Sequence, residues 1–428
     1  MTKTSAPQPR VLLDVSVLGR ALHIARARTG VARVVHCLAE ALMLRLGDSL
    51  RLCASQSLRE LITLRQYLAA NALGPQAPAL LADQGSTGRL AAALAPWYPR
   101  PGGGKVLRRA AELAVHSLGR PLPQPGGPAL VGCDLFHATY YPFPASTAQL
   151  AGLRRCMTLY DLIPILHPEY FRGARDHLVH RMLRSIGPED WVFAISHSTR
   201  DDLCNHGRIA PERILVTHLA AAETFSPRTD ADGLAAVRAR LGIPEGGYVL
   251  AVGTLEPRKN LERVVRAFFA LVEQQGIRDL SLVLVGPKGW DFAGLFQTIA
   301  AAPRLAHRVI TTGFVDDDTL ACLYSGALMF VYPSLYEGFG LPPLEAMQCG
   351  APVVTSNRSS LPEIVGNAAT LVDPTDEDAI ASAMHALHGD AALREAHRNA
   401  GLRQAARFSW QRTAEQTVAG YRLALDAA

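Results

Sequence analysis

Short apolar runs alternate with amphipathic stretches along most of the chain. In the C-terminal half the apolar runs predict strands at residues 248–254, 280–286, 309–312, 328–332, 352–355 and 370–372. The stretches between them predict helices at residues 260–275, 317–325, 342–349 and 376–387, and Asn260 is a suitable cap for the first of these. This alternation is typical of parallel βαβ units, and it argues against a sandwich or a helical bundle.

The N-terminal half shows the same alternation less clearly. Its apolar runs predict strands at residues 11–15, 135–138, 156–160 and 192–196, and a glycine-containing turn at residues 26–35 leads from the first strand towards a helix. Residues 96–128 are rich in Pro and Gly around one basic helical stretch, residues 105–120. We interpret residues 96–128 as an insertion in the first domain.

The polar segment 225–233 is the natural boundary between the two halves. We therefore predict an α/β protein with two Rossmann-like domains, residues 1–228 and 229–405. The last helix, residues 406–428, is expected to pack back on the first domain. A length of 428 residues supports two domains, because a single core rarely grows beyond about 250–300 residues.

Composition narrows the class of protein. Hydrophobic residues make up 49% of the chain and charged residues 19%, which favours a folded α/β protein over a disordered one. The net charge of +5 is a mild excess that suits an anionic small molecule or a lipid surface and is small for a nucleic-acid partner.

Cysteine usage and hydropathy point to the cytoplasm. The seven cysteines form no CxxC pair, which argues against a disulfide framework or a zinc site. No apolar region follows the first ten residues, and no run of about 18 apolar residues occurs, so we expect neither a signal peptide nor a spanning helix. Contact with a membrane is expected to be peripheral at most.

The segment 336–350, YEGFGLPPLEAMQCG, carries the strongest chemical signal. A glycine-rich turn connects a strand to a helix in which Pro342 or Pro343 occupies the first position. Unpaired backbone N–H groups at a helix N-terminus attract phosphate, and Gly338 and Gly340 allow a ligand to approach the main chain closely. The segment therefore predicts a phosphate-binding turn.

Two carboxylates, Glu337 and Glu345, flank this turn. A carboxylate repels phosphate, so their expected partners are sugar hydroxyls. Taken alone, Glu345 would be explained by the helix dipole and Glu337 as a solvated loop residue. Their combination with the intervening glycines and prolines favours a ligand site.

A second motif, GTLEPRKN, covers residues 253–260. Arg258 and Lys259 follow the carboxyl end of a strand, the edge at which open α/β sheets bind ligands. They are expected to clamp a diphosphate and neutralise it as it leaves. The alternative is an exposed basic loop.

These segments resemble the retaining glycosyltransferases of family 4, the glycogen synthase and mannosyltransferase group with the GT-B fold. Glu337 and Glu345 have the spacing of that family's EX7E signature, and the similarity extends through residues 245–385. Residues 28–35 resemble the family's glycine loop, while residues 136–144 and 159–171 resemble its acceptor-facing strand ends. The bacterial polysaccharide mannosyl- and rhamnosyltransferases are the most similar members.

The resemblance implies a role for each matching position. Arg258 and Lys259 bind the donor diphosphate, Glu345 holds the ribose hydroxyls and Glu337 contacts the transferred sugar. His137 and Asp161 lie near the reacting carbon or the acceptor. The remaining donor-binding positions are Gly30 from the opposite domain and Gly253, Thr254, Gly338, Phe339, Gly340 and Leu341.

Three positions depart from the family pattern. Many members place the arginine at the position of Thr254, and a His commonly stands where this chain has Tyr160. Ala32 stands where a second glycine is common, which puts a close phosphate contact there in question because Ala resists positive φ.

The function implied is retaining transfer of a hexose, of the mannose or rhamnose type, in cell-surface polysaccharide or lipopolysaccharide synthesis. The expected donor is a GDP-linked sugar, and the expected acceptor is a glycan or a lipid-diphosphate-linked glycan. Neither a cofactor nor a metal is predicted, since the acidic run at residues 316–318 is explained by helix capping. The basic stretch 105–120 either rests on an anionic membrane or covers the domain edge.

Other classes of function remain open from the sequence. A nucleotide-sugar epimerase of the same fold would need no acceptor, and a phosphorylase would need a pyridoxal lysine context that we do not find. A non-catalytic sugar-nucleotide sensor is the third alternative, and the presence of Glu337, Arg258 and Lys259 counts against it.

Overall fold

The computed structural model describes residues 8–23, 30–70, 73–99, 105–119, 130–171, 173–174 and 177–427. Arg28 and Thr29 of the resembling glycine loop, the first seven residues and much of the Pro- and Gly-rich flanks of the insertion lie outside these ranges.

The first domain is built on a six-stranded parallel sheet with the strand order β2-β1-β3-β4-β5-β6. Most of the strand residues are buried, as expected when helices cover both faces of a parallel sheet. The strands are β1 (Val11–Asp14), β2 (Leu50–Cys53), β3 (Leu135–Ala138), β4 (Arg154–Leu159), β5 (Trp191–Ala194) and β6 (Ile214–Val216).

The helices of this domain pack their apolar faces on the sheet. In the helix that follows Gly30, for example, Val35, Leu38 and Leu42 recur on one face and enter the core. The helices are α1 (Ser16–His23), α2 (Val31–Leu46), α3 (Leu58–Ala69), α4 (Gly85–Leu94), α5 (Lys105–Gly119), α6 (Ile163–Leu166), α7 (Leu178–Ser185) and α8 (His197–His206).

The second domain repeats the plan with the strand order β12-β11-β10-β7-β8-β9. Its strands are β7 (Gly247–Val252), β8 (Leu280–Val285), β9 (Val309–Gly313), β10 (Met329–Tyr332), β11 (Val353–Ser356) and β12 (Thr370–Val372). Its helices, with the C-terminal helices of the chain, are α9 (Ala231–Arg240), α10 (Leu261–Gln274), α11 (Ala293–Ala300), α12 (Asp317–Gly326), α13 (Leu341–Gln348), α14 (Leu361–Val365), α15 (Glu377–Gly389), α16 (Ala391–Ala405) and α17 (Trp410–Asp426).

Helix α17 lies against the first domain and contacts α2 and β4. The Tyr421 hydroxyl forms a 2.7 Å hydrogen bond with Nδ1 of His137 on β3. Gly420 makes this close packing feasible, because a Cβ atom there would lie 2.4 Å from the Phe193 ring. The C-terminal helix thus joins the sheet of the domain at the opposite end of the chain.

The prediction of two α/β domains with parallel sheets is confirmed. The sequence did not predict β2, β6 or the helices α3 and α4. Asn260 is a correction, since its side chain does not cap α10. It adopts the left-handed conformation and donates from Nδ2 to the carbonyl oxygens of Pro333 and Pro374, which ties two loops together.

None of the helices that the structure describes combines the length and the apolar character needed to cross a membrane.

Candidate active site

A cleft of about 600 Å³ lies between the two domains. Most of its walls come from segments that directly follow strands, as expected for the carboxyl edge of parallel sheets. The first domain contributes Gly30, Val31, Arg33, Val34, Tyr160, Asp161, Ile195 and Leu219. From the second domain, the predicted residues Gly253, Thr254, Arg258, Lys259, Glu337, Gly338, Phe339, Gly340, Leu341 and Glu345 line it.

Glu337 is the centre of a buried charge cluster in this cleft. Its Oε2 lies 2.7 Å from Nη1 of Arg258, and its Oε1 lies 2.6 Å from Nζ of Lys259. The hydroxyls of Tyr332 and Ser334 donate to Oε1 at 2.8 and 2.6 Å. The two cations are therefore held in fixed positions before any ligand binds.

Burial and neighbouring charge compete at these groups. Burial raises the pKa of Glu337, but the charges of Arg258 and Lys259 outweigh it and bring the pKa to about 2. Burial, with the nearby Arg258 charge, lowers the pKa of Lys259. At neutral pH Glu337 is thus an anion committed to two cations, not a free nucleophile.

Arg258 has a second carboxylate partner and an unused donor. Glu256 Oε1 accepts from its Nη2 at 2.7 Å. Burial would lower the pKa of Arg258, but the Glu337 and Glu256 carboxylates raise it above its ordinary value. Its Nε is buried without a hydrogen-bond partner in the described part of the chain.

The turn after Glu337 presents its main chain to the cleft. Within the described residues, no acceptor is recorded for the backbone N–H groups of Gly338, Phe339, Gly340 and Leu341. The φ angle of Gly340 is 116°, which a residue with a Cβ adopts only under strain. Four successive free N–H groups of this kind suit an anionic ligand.

The prolines correct one expectation about this turn. Helix α13 begins at Leu341, so Pro342 and Pro343 occupy its second and third positions and neither is the first residue. Neither proline has an N–H, and the helix terminus offers correspondingly fewer donors. The available donors are those of residues 338–341.

Gly338 also lets the two domains approach closely. A Cβ atom at this position would lie 2.3 Å from the Tyr160 carbonyl oxygen and 2.9 Å from Cβ of Asp161. The Gly338 carbonyl accepts from Oγ of Ser196 at 2.7 Å and from Oγ1 of Thr199 at 3.2 Å. The turn after Glu337 is therefore in direct contact with the first domain.

The N-terminus of α2 forms the facing wall. Gly30 is its cap, with a φ angle of 67°, and the first turn of this 16-residue helix contains no acidic residue. A positive helix dipole at this point favours an anion. Ala32 lies within the helix and needs no positive φ, so the loss of the family's second glycine introduces no strain.

Glu345 is paired with a residue that the sequence analysis missed. Nη1 of Arg33 lies 2.7 Å from Oε1 of Glu345, and Nη2 lies 2.7 Å from Oδ1 of Asp317. The Arg33 guanidinium packs over the Phe225 ring. Burial raises the pKa of Glu345 to about 6, although the Arg33 charge opposes the shift. The expected ribose ligand is thus occupied by an arginine from the other domain.

Asp161 lines the cleft near the charge cluster. Its Oδ1 accepts from the backbone N–H of Ile163 at 3.0 Å, and burial raises its pKa. Tyr160, which replaces the common His, directs its hydroxyl to a buried position without a partner among the described residues.

His137 does not reach the cleft, contrary to expectation. It is fully buried within β3, where Nδ1 contacts the Tyr421 hydroxyl and Nε2 contacts Oγ1 of Thr158 at 2.8 Å. Burial lowers its pKa to about 3, so the ring is neutral. Its position inside a strand, and not after its end, is the physical reason for the error.

Two clusters of acidic and histidine side chains contain the residue types of metal ligands. Asp316 caps α12 by accepting from the Thr319 N–H at 2.7 Å, as the sequence suggested. Outside the cleft, and among the described residues, His197, His218 and Glu363 lie close enough to hold an ion. Glu363 already caps α8 at the N–H of His197 and contacts His218, which accounts for the group.

Comparison with known proteins supports the assignment made from the residues. Residues 236–404 match the family model described as Glycosyl transferases group 1. Over 271 residues, the chain is 36% identical to O-antigen chain mannosyltransferase B of Escherichia coli, which covers 63% of this chain and 70% of that protein. The chain belongs to the glycosyl transferases group 1 family.

Another relative of this glycosyltransferase is a longer protein, and the match covers a smaller share of it. It is 33% identical over 267 residues to the serotype-specific mannosyltransferase WbdA of Escherichia coli, across 61% of this chain but only 32% of that protein. The chain thus spans about one third of the length of that relative.

Solved structures agree on the fold. Sucrose-phosphate synthase from Thermosynechococcus elongatus has a TM-score of 0.65 and 21% identity, covering 99% of this chain and 100% of its own. HepE of Anabaena, in complex with UDP and glucose, has a TM-score of 0.62 and 17% identity, covering 97% and 99%. The predicted GT-B fold and the resemblance to bacterial polysaccharide mannosyltransferases are confirmed.

Proposed function

We propose that this glycosyltransferase moves a hexose of the mannose or rhamnose type from a GDP-linked donor to a glycan or lipid-linked glycan acceptor, with retention of anomeric configuration. The pathway proposed is cell-surface polysaccharide synthesis, in line with the names of the O-antigen relatives. The observation that carries the proposal is the Arg258 and Lys259 pair, fixed by Glu337 beside the turn 338–341, whose backbone N–H groups have no acceptor among the described residues.

The donor diphosphate occupies the space between these groups. Its oxygens accept from the N–H groups of residues 338–341 and from the α2 terminus at Gly30, beside the Arg258 and Lys259 cations. Glu345 accepts from the ribose hydroxyls after Arg33 moves aside. Glu337, which is paired with Arg258 and Lys259, faces the transferred sugar.

The reaction exchanges one bond at the anomeric carbon for another. The bond to the phosphate oxygen breaks while the acceptor hydroxyl attacks from the same face, and the departing phosphate takes the hydroxyl proton. Arg258 and Lys259 stabilise the charge that develops on the phosphate, and they need no reorganisation because Glu337 already positions them. A retaining glycosidase would instead need a carboxylate free to attack.

Metal independence is part of the proposal. Charge stabilisation at the diphosphate is assigned to Arg258, Lys259 and the helix terminus, so we expect turnover to survive chelation with EDTA. A loss of turnover that Mg²⁺ restores would contradict this assignment.

Peripheral membrane contact is proposed through α5. This helix carries Leu113 and Leu118, which are 64% and 50% exposed, together with the exposed Arg109. Exposed leucines beside a basic residue suit the surface of an anionic bilayer.

A thermal-shift panel of GDP, UDP, dTDP and ADP with their sugars tests the donor. A ligand that binds only the folded state stabilises it by about 2.7 kcal/mol at 100 times its Kd, so the correct nucleotide gives a clear upward shift. We expect GDP to give the largest shift. A larger shift with another nucleotide would assign the donor to that nucleotide. The absence of a shift with every nucleotide tested would contradict the proposed donor site.

Product analysis separates transfer from the other classes. With donor and acceptor present, we expect nucleotide release and a glycoside that retains the donor's anomeric configuration by NMR. An epimerase would yield a new nucleotide sugar without acceptor, and a sensor would yield neither product. Lys259→Ala is expected to slow transfer by about 10²–10³, whereas Arg304→Ala, at an exposed position of the same domain, retains wild-type turnover.

A further inference from the structure

The first domain contains a second pocket, of about 260 Å³, which the proposed function does not use. It lies between α6, α7 and the end of α8. Two apolar residues, Ile165 and Leu183, contribute to its lining, and the other four lining residues are basic: His180, Arg184, His206 and Arg208. We call it the basic pocket.

The arginines of the basic pocket have no counter-charge among the residues that the structure describes. No acidic residue lines it, and within the described ranges neither Arg184 nor Arg208 has a carboxylate partner. Arg184 uses Nε to donate to the His180 carbonyl of its own helix. Elsewhere in this domain Arg155 is paired with Asp190 at 2.6 Å, so a missing partner is not the general rule.

Helix dipoles explain only part of this arrangement. Arg184 and His206 lie in the last turns of α7 and α8, where a positive charge is favourable. His180 lies in the first turn of α7, and Arg208 follows the Gly207 cap after α8 has ended. Bringing the Arg184 and Arg208 guanidinium charges into one concavity costs repulsion that a bound anion relieves.

We propose that the basic pocket binds a phosphate group of the acceptor. Two guanidinium groups are suited to phosphate because each presents several N–H donors in a plane. Ile165 and Leu183 offer an apolar surface for the first carbons of an alkyl chain attached to that phosphate. The identity of the ligand as acceptor rests on the proposed function, whereas phosphate binding itself does not.

The location suits an acceptor that also reaches the cleft. Asp161 lines the cleft and Ile165, four positions later, lines the basic pocket, so their Cα atoms are at most about 14 Å apart. Helix α8 connects the same two regions, since its Asp202 accepts from the Tyr336 hydroxyl beside the cleft at 2.8 Å. A phosphorylated sugar chain is long enough to contact both.

Titration calorimetry with inorganic pyrophosphate tests phosphate binding. The wild type is expected to take up two molecules per chain, one in the cleft and one in the basic pocket, and the double variant Arg184→Gln/Arg208→Gln only one. Both arginines are exposed, so the variant is expected to keep its melting temperature. Arg181→Gln removes an exposed charge of α7 outside the pocket lining and should still bind two.

The Lys259→Ala variant separates this proposal from the proposed function. If the cleft is not a diphosphate site, the wild type binds one pyrophosphate, Lys259→Ala also binds one, and only the double variant binds none. That result supports the basic pocket and counts against the donor site. Equal stoichiometry and affinity in the wild type and the double variant would overturn the basic pocket.

A further comparison identifies the source of the phosphate. Transfer is measured to an alkyl diphosphate-linked mannose and to the matching alkyl mannoside without phosphate. The double variant is expected to raise KM at least tenfold for the first acceptor only, with unchanged flotation on phosphatidylglycerol vesicles. Loss of flotation with an unchanged KM would assign the pocket to membrane headgroups and overturn the acceptor role.

Discussion

At the scale of single residues, burying the charged cluster around Glu337 costs free energy. Three charged side chains, Glu337, Arg258 and Lys259, are each about nine-tenths shielded from solvent. Removing charges from water offsets much of their mutual attraction, so such a cluster is weak evidence for a stabilising role. In the proposed reaction, the cluster holds two cations at fixed positions where the charge of the departing phosphate develops.

The low pKa of Glu337 predicts how stability changes in acid. A folded-state pKa of about 2, against an ordinary value of 4.5, means that the carboxylate adds stability above pH 4.5 and that this is lost as the pH falls towards 2. The change amounts to about 3 kcal/mol. Glu337→Gln lacks this titration. Urea unfolding should therefore show the difference between the two proteins shrinking by about 3 kcal/mol from pH 5 to pH 2, and a constant difference would contradict the assigned charge cluster.

At the scale of elements, the turn between β10 and α13 carries two constraints at once. Residues 338–341 leave their N–H groups open to a ligand, and Gly338 also contacts the first domain through Tyr160. Any side chain at Gly338 must displace the backbone of the facing loop. Ligand binding and domain approach therefore depend on the same few residues.

Gly338→Ala tests this double role. Because the added Cβ meets backbone at 2.3 Å, we expect the cleft to open, transfer to fall at least tenfold and the free energy of unfolding to drop by about 1–3 kcal/mol. Gly389→Ala is the matched control, since nothing lies within 4 Å of its added Cβ. Turnover and melting temperature are the measurements. Wild-type turnover in Gly338→Ala would show that the domains need not approach this closely.

Elements with strong local signals were predictable from the sequence. Strand β12 has the predicted bounds, and β8 and α12 end within one residue of them. Strand β8 is a fully buried run of six residues, and Asp316 caps α12 at its N-terminus. Strand β2 was missed because Arg51 interrupts a four-residue run.

Features that depend on tertiary partners were not predictable in this way. Asn260 has the residue type of a helix cap, but two distant carbonyl groups compete for its side chain. His137 satisfies both ring nitrogens through Thr158 and through Tyr421, which lies 284 residues away. The partners of Arg33 likewise come from the other domain. Residue spacing contains no information on such pairings.

At the scale of the whole molecule, the domains touch on both sides of the cleft. Arg33 bridges to Glu345 and Asp317 on one side, and Tyr336 meets Asp202 on another. The described conformation is therefore a closed one. If Glu345 is the ribose ligand, the donor must compete with Arg33 for the same carboxylate.

Arg33→Ala should expose this competition. Removing the guanidinium frees Glu345 for ribose and also breaks a buried ion pair across the domains, which costs about 3 kcal/mol when one partner is left alone. Without the Arg33 charge, which opposes the effect of burial, the Glu345 pKa rises above its paired value of about 6. The nucleotide should bind several-fold more tightly by titration calorimetry, with a gain that grows as rising pH ionises Glu345, while the ligand-free melting temperature falls. Asp317→Asn is the control, because it removes the other arm of Arg33 and leaves Glu345 paired. Weaker nucleotide binding by Arg33→Ala would mean that Arg33 contacts the phosphates directly and does not compete with the ribose.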